Sequence, residues 1–139
     1  MLTEKRQQEV IQLCQKLVQI KSYSGEEGKV AAELNSFFKS HGFDDVFVDD
    51  YGNCIGHISG KYPGPIVLFD GHMDTVPITE EQTWTYPPLG GEIHDGKIYG
   101  RGTSDMKGAL AAMCCAVANF EKKKKKIFAG DIYVAGVVH

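Results

Sequence analysis

No stretch of this chain stays apolar for the roughly 20 residues that a membrane-spanning helix needs. The opening MLTEKRQQEV lacks the apolar centre of a secretory leader. Both absences point to a cytoplasmic protein without a membrane role. The sequence has no CxxC pair. Its four cysteines are Cys14, Cys54, Cys114 and Cys115, and three of them sit inside apolar patterns. Free, buried thiols in a reducing compartment are expected. Nor is there a basic excess: Lys and Arg number 15 against 18 Asp and Glu, for a net charge of −3. That balance argues against a nucleic-acid partner. The lysine run Lys122–Lys126 reads as a solvated connection after a helix, where cations suit the helix dipole. A GxSxG elbow is missing too, so serine-nucleophile chemistry has little support.

What is present suits one α/β domain. The 139 residues are 42% hydrophobic and 24% charged, enough to bury a core. From Leu2 to Ile20, Val10, Leu13, Cys14, Leu17 and Val18 recur at the spacing of one helix face. Ser24 and Glu27 are spaced as a capping box for a second helix carrying Val30, Leu34, Phe37 and Phe38, which Gly42 would end. Val46–Val48 and Cys54–Ile58 read as strands around the turn DDYGN. The continuous apolar run Ile66–Phe69 reads as a strand covered on both faces. In EIHDGKIYG, Asp95-Gly96 suits a tight hairpin turn. A third helix is expected over Asp105–Phe120 and a last strand over Ile132–Val138. This order favours a layered α/β domain with a mixed sheet.

Two segments are candidates for chemistry. In FDGHMDTVP an apolar strand delivers Asp70, His72 and Asp74 into a loop, and ligands collect at such strand ends. His72 and Asp74 are two apart, so in extended backbone both point the same way. The carboxylate would fix the ring and leave its other nitrogen free for a metal. A turn with an internal hydrogen bond is the alternative. Asp70 is assigned to capping the strand end. The second segment, GRGTSDMKG, resembles a phosphate loop only superficially. Lys107 precedes Gly108 and Ala109 instead of following glycine, and Asp105 occupies the sixth position of a dinucleotide fingerprint. A carboxylate there suits a cation better than a pyrophosphate, although aspartate also favours any helix N-terminus. His41, His57, His94 and His139 show no ligand-like spacing.

GHMDTVP, then Trp84 and Pro88, then DGKIYGRG and TSDMKG, together resemble the M20 family of metallopeptidases and amidohydrolases. That family includes acetylornithine deacetylases and succinyl-diaminopimelate desuccinylases. IKSYSGEEGKVAAEL resembles the family's first two helices, so the likeness covers nearly the whole chain. It implies a three-layer αβα zinc-peptidase-like fold with a mixed sheet, of which residues 1–139 would be the N-terminal segment of the catalytic domain. It further implies that His72 ligates one metal ion, that Asp105 bridges two, and that Asp74 serves catalysis by orienting His72. The ions would be Zn2+, with Co2+ or Mn2+ as alternatives, and a cis peptide would follow Asp105. The reaction would be hydrolysis of an amide, in a small peptide or N-acyl amino acid, by metal-activated water.

The family's general-base glutamate, its remaining ligands and its lid domain do not appear in these residues. The expectation is therefore a chain inactive alone, with weak metal affinity, that self-associates or needs a complementing C-terminal portion. A non-catalytic remnant or binding module of the same ancestry is the alternative.

Overall fold

The computed structural model describes residues 3–124 and 127–139. Helix α1 spans Glu4–Gln19; the Thr3 hydroxyl caps it by accepting the Arg6 N–H, and it buries Leu13, Cys14, Leu17 and Val18. Helix α2, Gly28–Ser40, buries Val30, Ala31, Leu34, Phe37 and Phe38. Past its end Gly42 takes φ +78°, and the Phe43 N–H returns to Phe38 O at 3.3 Å. That bond satisfies a carbonyl the helix leaves open. The capping box does not form: no side chain caps α2, and Ser24 bonds elsewhere.

Strands β1 (Asp45–Val48), β2 (Cys54–Ser59) and β3 (Tyr62–His72) follow, then the hairpin strands β4 (Glu92–His94) and β5 (Lys97–Tyr99), helix α3 (Gly108–Lys124) and β6 (Ala129–Val137). The main sheet runs β1-β2-β6-β3 and is mixed: β6 is antiparallel to β2 and parallel to β3. The α/β architecture and mixed sheet are thus as the sequence predicts. Asp95 and Gly96, at φ 49° and 73°, make the expected hairpin turn.

The helices gather on one face of the sheet. There Cys54 and Ile58 of β2 and Val134 of β6 are fully buried with Phe38, Leu17 and Leu110. Gly56 leaves room for Phe38 and Phe43 to press against the sheet; a Cβ there would come within 2.8 Å of both rings.

Three further expectations need correction. The run Ile66–Phe69 is not covered on both faces: β3 is an edge strand, with Ile66 69% and Leu68 58% exposed. Asp70 caps nothing among the described residues; it stands exposed within β3. The third helix starts at Gly108, not at Asp105, because Asp105 and Met106 adopt non-helical backbone angles. The side chains of the lysine run lie outside the described residues. Among the described residues, no helix is long and apolar enough to cross a membrane.

Candidate functional site

Strand β3 ends at His72, which pairs in register with Val137 of β6. Beyond it the chain stays extended long enough for Asp74 to fold back. His72 Nδ1 lies 3.0 Å from Asp74 O and 3.1 Å from Asp74 Oδ1. Its other nitrogen, Nε2, lies 2.9 Å from Asp105 Oδ1. The structure therefore brings together all three residues that the sequence singles out for chemistry, across 33 positions between His72 and Asp105.

Both ring nitrogens face acceptors, an arrangement that suits an imidazolium donating on each side. Burial works to lower the His72 pKa, but hydrogen bonds to Asp105 and Asp74 and their charges outweigh it, so the pKa is raised. For Asp74, burial works upward. The Ser24 hydroxyl and the charges of His72 and His139 outweigh it and hold the carboxyl below its ordinary value.

Asp105 sits in the irregular turn Thr103–Lys107, with its side chain 88% exposed and a cis peptide linking it to Met106, as the resemblance implies. Gly102 O accepts the Lys107 N–H and closes this turn. The side chain of Lys107 runs inward, is fully buried, and donates to Ile20 O at 2.7 Å. Burial pushes its pKa down to about 8, against a smaller opposing effect of Cys14.

His72, Asp74, Thr75, Arg101, Ser104 and Asp105 line a cleft of about 270 Å³. The Arg101 guanidinium lies 5.1 Å from the Trp84 ring centre. A larger groove of about 700 Å³, between α1 and α3, is lined by Val10, Ile11, Ala116 and Phe120 among others. It is apolar and brings no imidazole and carboxylate together, so the smaller cleft is where chemistry is possible.

Sequence reasoning missed three residues of this site. Ser24 donates to Asp74 Oδ2 at 2.7 Å, and Ser22 donates to Met73 O at 2.8 Å. Lys107 is the third. The signal at Ser24 was present but ambiguous, because hydroxyl residues before a helix usually cap it. Three other histidines lie apart: His41 bonds Glu9, His57 sits between Asp45 and Asp131, and His94 bonds Glu92; His139, whose charge acts on Asp74, does not.

The donor set suits a divalent cation. Asp74 occupies Nδ1 and leaves Nε2 facing Asp105, and a carboxylate on the far ring nitrogen recurs in metal sites. Two donors on one zinc ion stand roughly 3 to 3.5 Å apart, close to the 2.9 Å seen between Nε2 and Oδ1. Among the described residues, no group of three or more His, Cys, Asp or Glu side chains is arranged to hold a metal ion.

Residues 68–138 match the sequence model of peptidase family M20/M25/M40. A succinyl-diaminopimelate desuccinylase of Hydrogenovibrio crunogenus is 37% identical over 118 residues, which are 83% of this chain and 31% of that protein. Human carnosine dipeptidase 1 superposes with a TM-score of 0.81 at 23% identity, covering 95% of this chain and 32% of the other. A Bacillus subtilis protein described as a dinuclear metal-binding peptidase of the M20 family gives 0.70 at 14% identity, covering 97% and 36%. The chain spans about a third of the length of the curated relatives it matches.

Proposed function

The chain belongs to peptidase family M20/M25/M40, and we propose that it is the N-terminal segment of the catalytic domain of a metal-dependent amide hydrolase. One observation carries this: the contact between His72 Nε2 and Asp105 Oδ1, with Asp74 holding the other side of the ring. In this reading His72 and Asp105 would hold the ions, Asp105 being shared between two, and Asp74 would keep His72 in the ligating tautomer. Zn2+ is the preferred metal, with Co2+ or Mn2+ as alternatives. When bound, the ions would polarise the scissile carbonyl and lower the pKa of a bridging water.

The residues present here bind and orient. Asp74 fixes the ring, and Ser24 fixes Asp74 by a hydrogen bond to the carboxylate oxygen that the ring does not use. The cleft floor of Thr75 and Gly102 keeps the two segments in contact. Two protein donors fall short of the three that catalytic zinc sites usually have. The general base and the remaining ligands are accordingly assigned to a complementing C-terminal portion. The substrate class is a small peptide or N-acyl amino acid, which matches the names of the relatives. The compartment is the cytoplasm, and the exposed sheet edge favours self-association.

Zinc titration tests the site. Zn2+ should shift the His72 ring resonances with weak affinity, and His72→Ala or Asp105→Asn should abolish the shift. Zinc binding that survives both substitutions would sink the assignment. The 139 residues with zinc should not turn over dipeptides or N-succinyl amino acids; metal-dependent turnover would show that the pair needs no further ligands.

A further inference from the structure

The segments that carry His72 and Asp105 belong to different elements: one ends an edge strand, the other precedes α3. The two side chains meet in a hydrogen bond, Thr75 lies close to Gly102, and a third segment touches both. The connection between α1 and α2, residues 20–27, bonds to the His72 side at several points. Ser22 O accepts the Thr75 N–H at 2.7 Å, and the Ser22 hydroxyl donates to Met73 O. Tyr23 forms a parallel bridge with Thr75, and its hydroxyl accepts the Ile78 N–H at 3.1 Å. Ser24 then reaches the Asp74 carboxylate. On the Asp105 side the same connection is held by Lys107, whose ammonium reaches Ile20 O.

We infer that the α1–α2 connection is a brace shared by the two site segments, and that Lys107 and Ser24 are positioning residues that set the His72–Asp105 separation. This rests on the metal-site reading above and adds to it the parts that hold the site in shape.

The physical case centres on Lys107. Its side chain is fully buried, and among the described residues no carboxylate pairs with it. Burying an ammonium costs free energy that an apolar side chain of similar length would not. Filling space therefore does not account for a lysine here. What the lysine adds is a bond to the carbonyl just past α1, at a helix end where carbonyls lack intrahelical partners. Its stem lies against Gly102, where a Cβ would approach Lys107 Cδ to 3.3 Å and Thr75 Cγ2 to 2.6 Å. The lysine, the Asp105 turn and the segment after His72 are thus packed against one another as well as bonded to the brace.

A sign test separates positioning from plain electrostatics. Removing a cation near a metal site should strengthen metal binding if charge alone matters. Removing a strut should weaken it, by about tenfold for a residue that orients ligands. The experiment measures Zn2+ affinity of the whole chain by competition with a chromophoric chelator, for Lys107→Met, Ser24→Ala, Ser24→Thr and the Lys107→Met/Ser24→Ala pair. Amide hydrogen exchange is followed without metal.

The brace predicts about tenfold weaker zinc binding for Lys107→Met and Ser24→Ala, with recovery in Ser24→Thr, which keeps the hydroxyl. The double variant should lose less than the product of the single losses, since the two residues act through one element. Faster exchange at Thr75 and Ile78 in Lys107→Met is expected as well. Unchanged or tighter zinc binding in a folded Lys107→Met, or strictly multiplicative losses, overturns the inference. If Lys107→Met does not fold, Lys107→Arg, which keeps a donor, and the Ser24 pair carry the same comparison. If the wild-type chain binds no zinc, the metal reading fails, and the exchange at Thr75 and Ile78 alone decides the brace.

Discussion

Replacing Gly102 by alanine tests how tightly the site is built. Gly102 has φ +84°, and an added Cβ would lie 2.6 Å from Thr75 Cγ2 and 3.3 Å from Lys107 Cδ. Neither neighbour gives way easily. Thr75 is buried and β-branched, so its χ1 is stiff, and Lys107 is fully buried with its ammonium committed to Ile20 O. Two costs follow. A left-handed non-glycine residue is strained by about 1–2 kcal/mol, and overpacking adds about 1–3 kcal/mol. The unfolded chain loses freedom with alanine, which returns about 0.4–1 kcal/mol.

Gly96 supplies the control. It has φ +73° and nothing within 4 Å of an added Cβ. Gly96→Ala therefore carries the backbone strain and the unfolded-state term without the clash. The difference between the two variants isolates overpacking, about 1–3 kcal/mol. Urea unfolding of both variants reads it directly, from the midpoints at constant slope. Gly102→Ala should also weaken zinc binding, whereas Gly96→Ala, on the hairpin turn, should not. Equal stability losses for the two would refute the idea that the Thr75–Gly102–Lys107 contact is close and rigid.

Other outcomes follow from burial and charge. Burial pushes the Cys54 thiol up to about 12 and also raises Cys14 and Cys114, so at pH 8 the native chain should resist a thiol-reactive disulfide reagent, while all four cysteines should react once it is unfolded. Burial pushes the Lys107 pKa down to about 8 against 10.5 ordinarily; at this group the unfolded chain binds more protons between about pH 8 and 10.5, so the lysine adds a rise in stability there, set against the fall that the raised thiols impose in the same window, and Lys107→Met should make the net fall with pH steeper. Leu68→Lys, on the exposed edge strand, should reduce concentration-dependent light scattering relative to wild type, because charged side chains blunt edge-to-edge pairing; unchanged scattering would argue against the edge as the associating surface.

Sequence periodicity made the helices legible because their cores are local: Leu13 and Leu17 of α1, and Leu34 and Phe38 of α2, are each four apart and face one cluster. The Asp95-Gly96 turn was legible for the same reason, since its backbone requirement is met by two adjacent residues. What failed was non-local. Whether Ile66–Phe69 lies at the centre or the edge of a sheet depends on where β6 inserts, and an apolar run does not encode strand order. Ser24 lost its expected role as a cap because Asp74, 50 positions away, accepts its hydrogen bond. The burial of Lys107 had no local signature: a lysine before a glycine and a helix looks solvated until α1 is packed against the same turn. His72 and Asp105 could be paired only through the likeness to a family, since spacing of 33 residues carries no geometric meaning by itself.

That non-local character has a consequence for stability at the site. Residues 20–24, 72–75 and 102–107 meet only after β3 has docked against β6, in the register that sets His72 beside Val137. A slip of one residue would turn His72 to the other face of the sheet and separate it from Asp105. The site is therefore as stable as the pairing of an edge strand whose outer side is open along Tyr62–Asp70. Edge strands open at lower free energy than central ones, so the His72–Asp105 pair should come apart by local opening well before global unfolding. A cation holding both residues would act against that opening, in proportion to its affinity for the closed form. Zinc should accordingly slow hydrogen exchange along β3 more than along β2, which pairs with β1 and β6 on both sides. Equal protection of the two strands would mean that the centre does not depend on the edge.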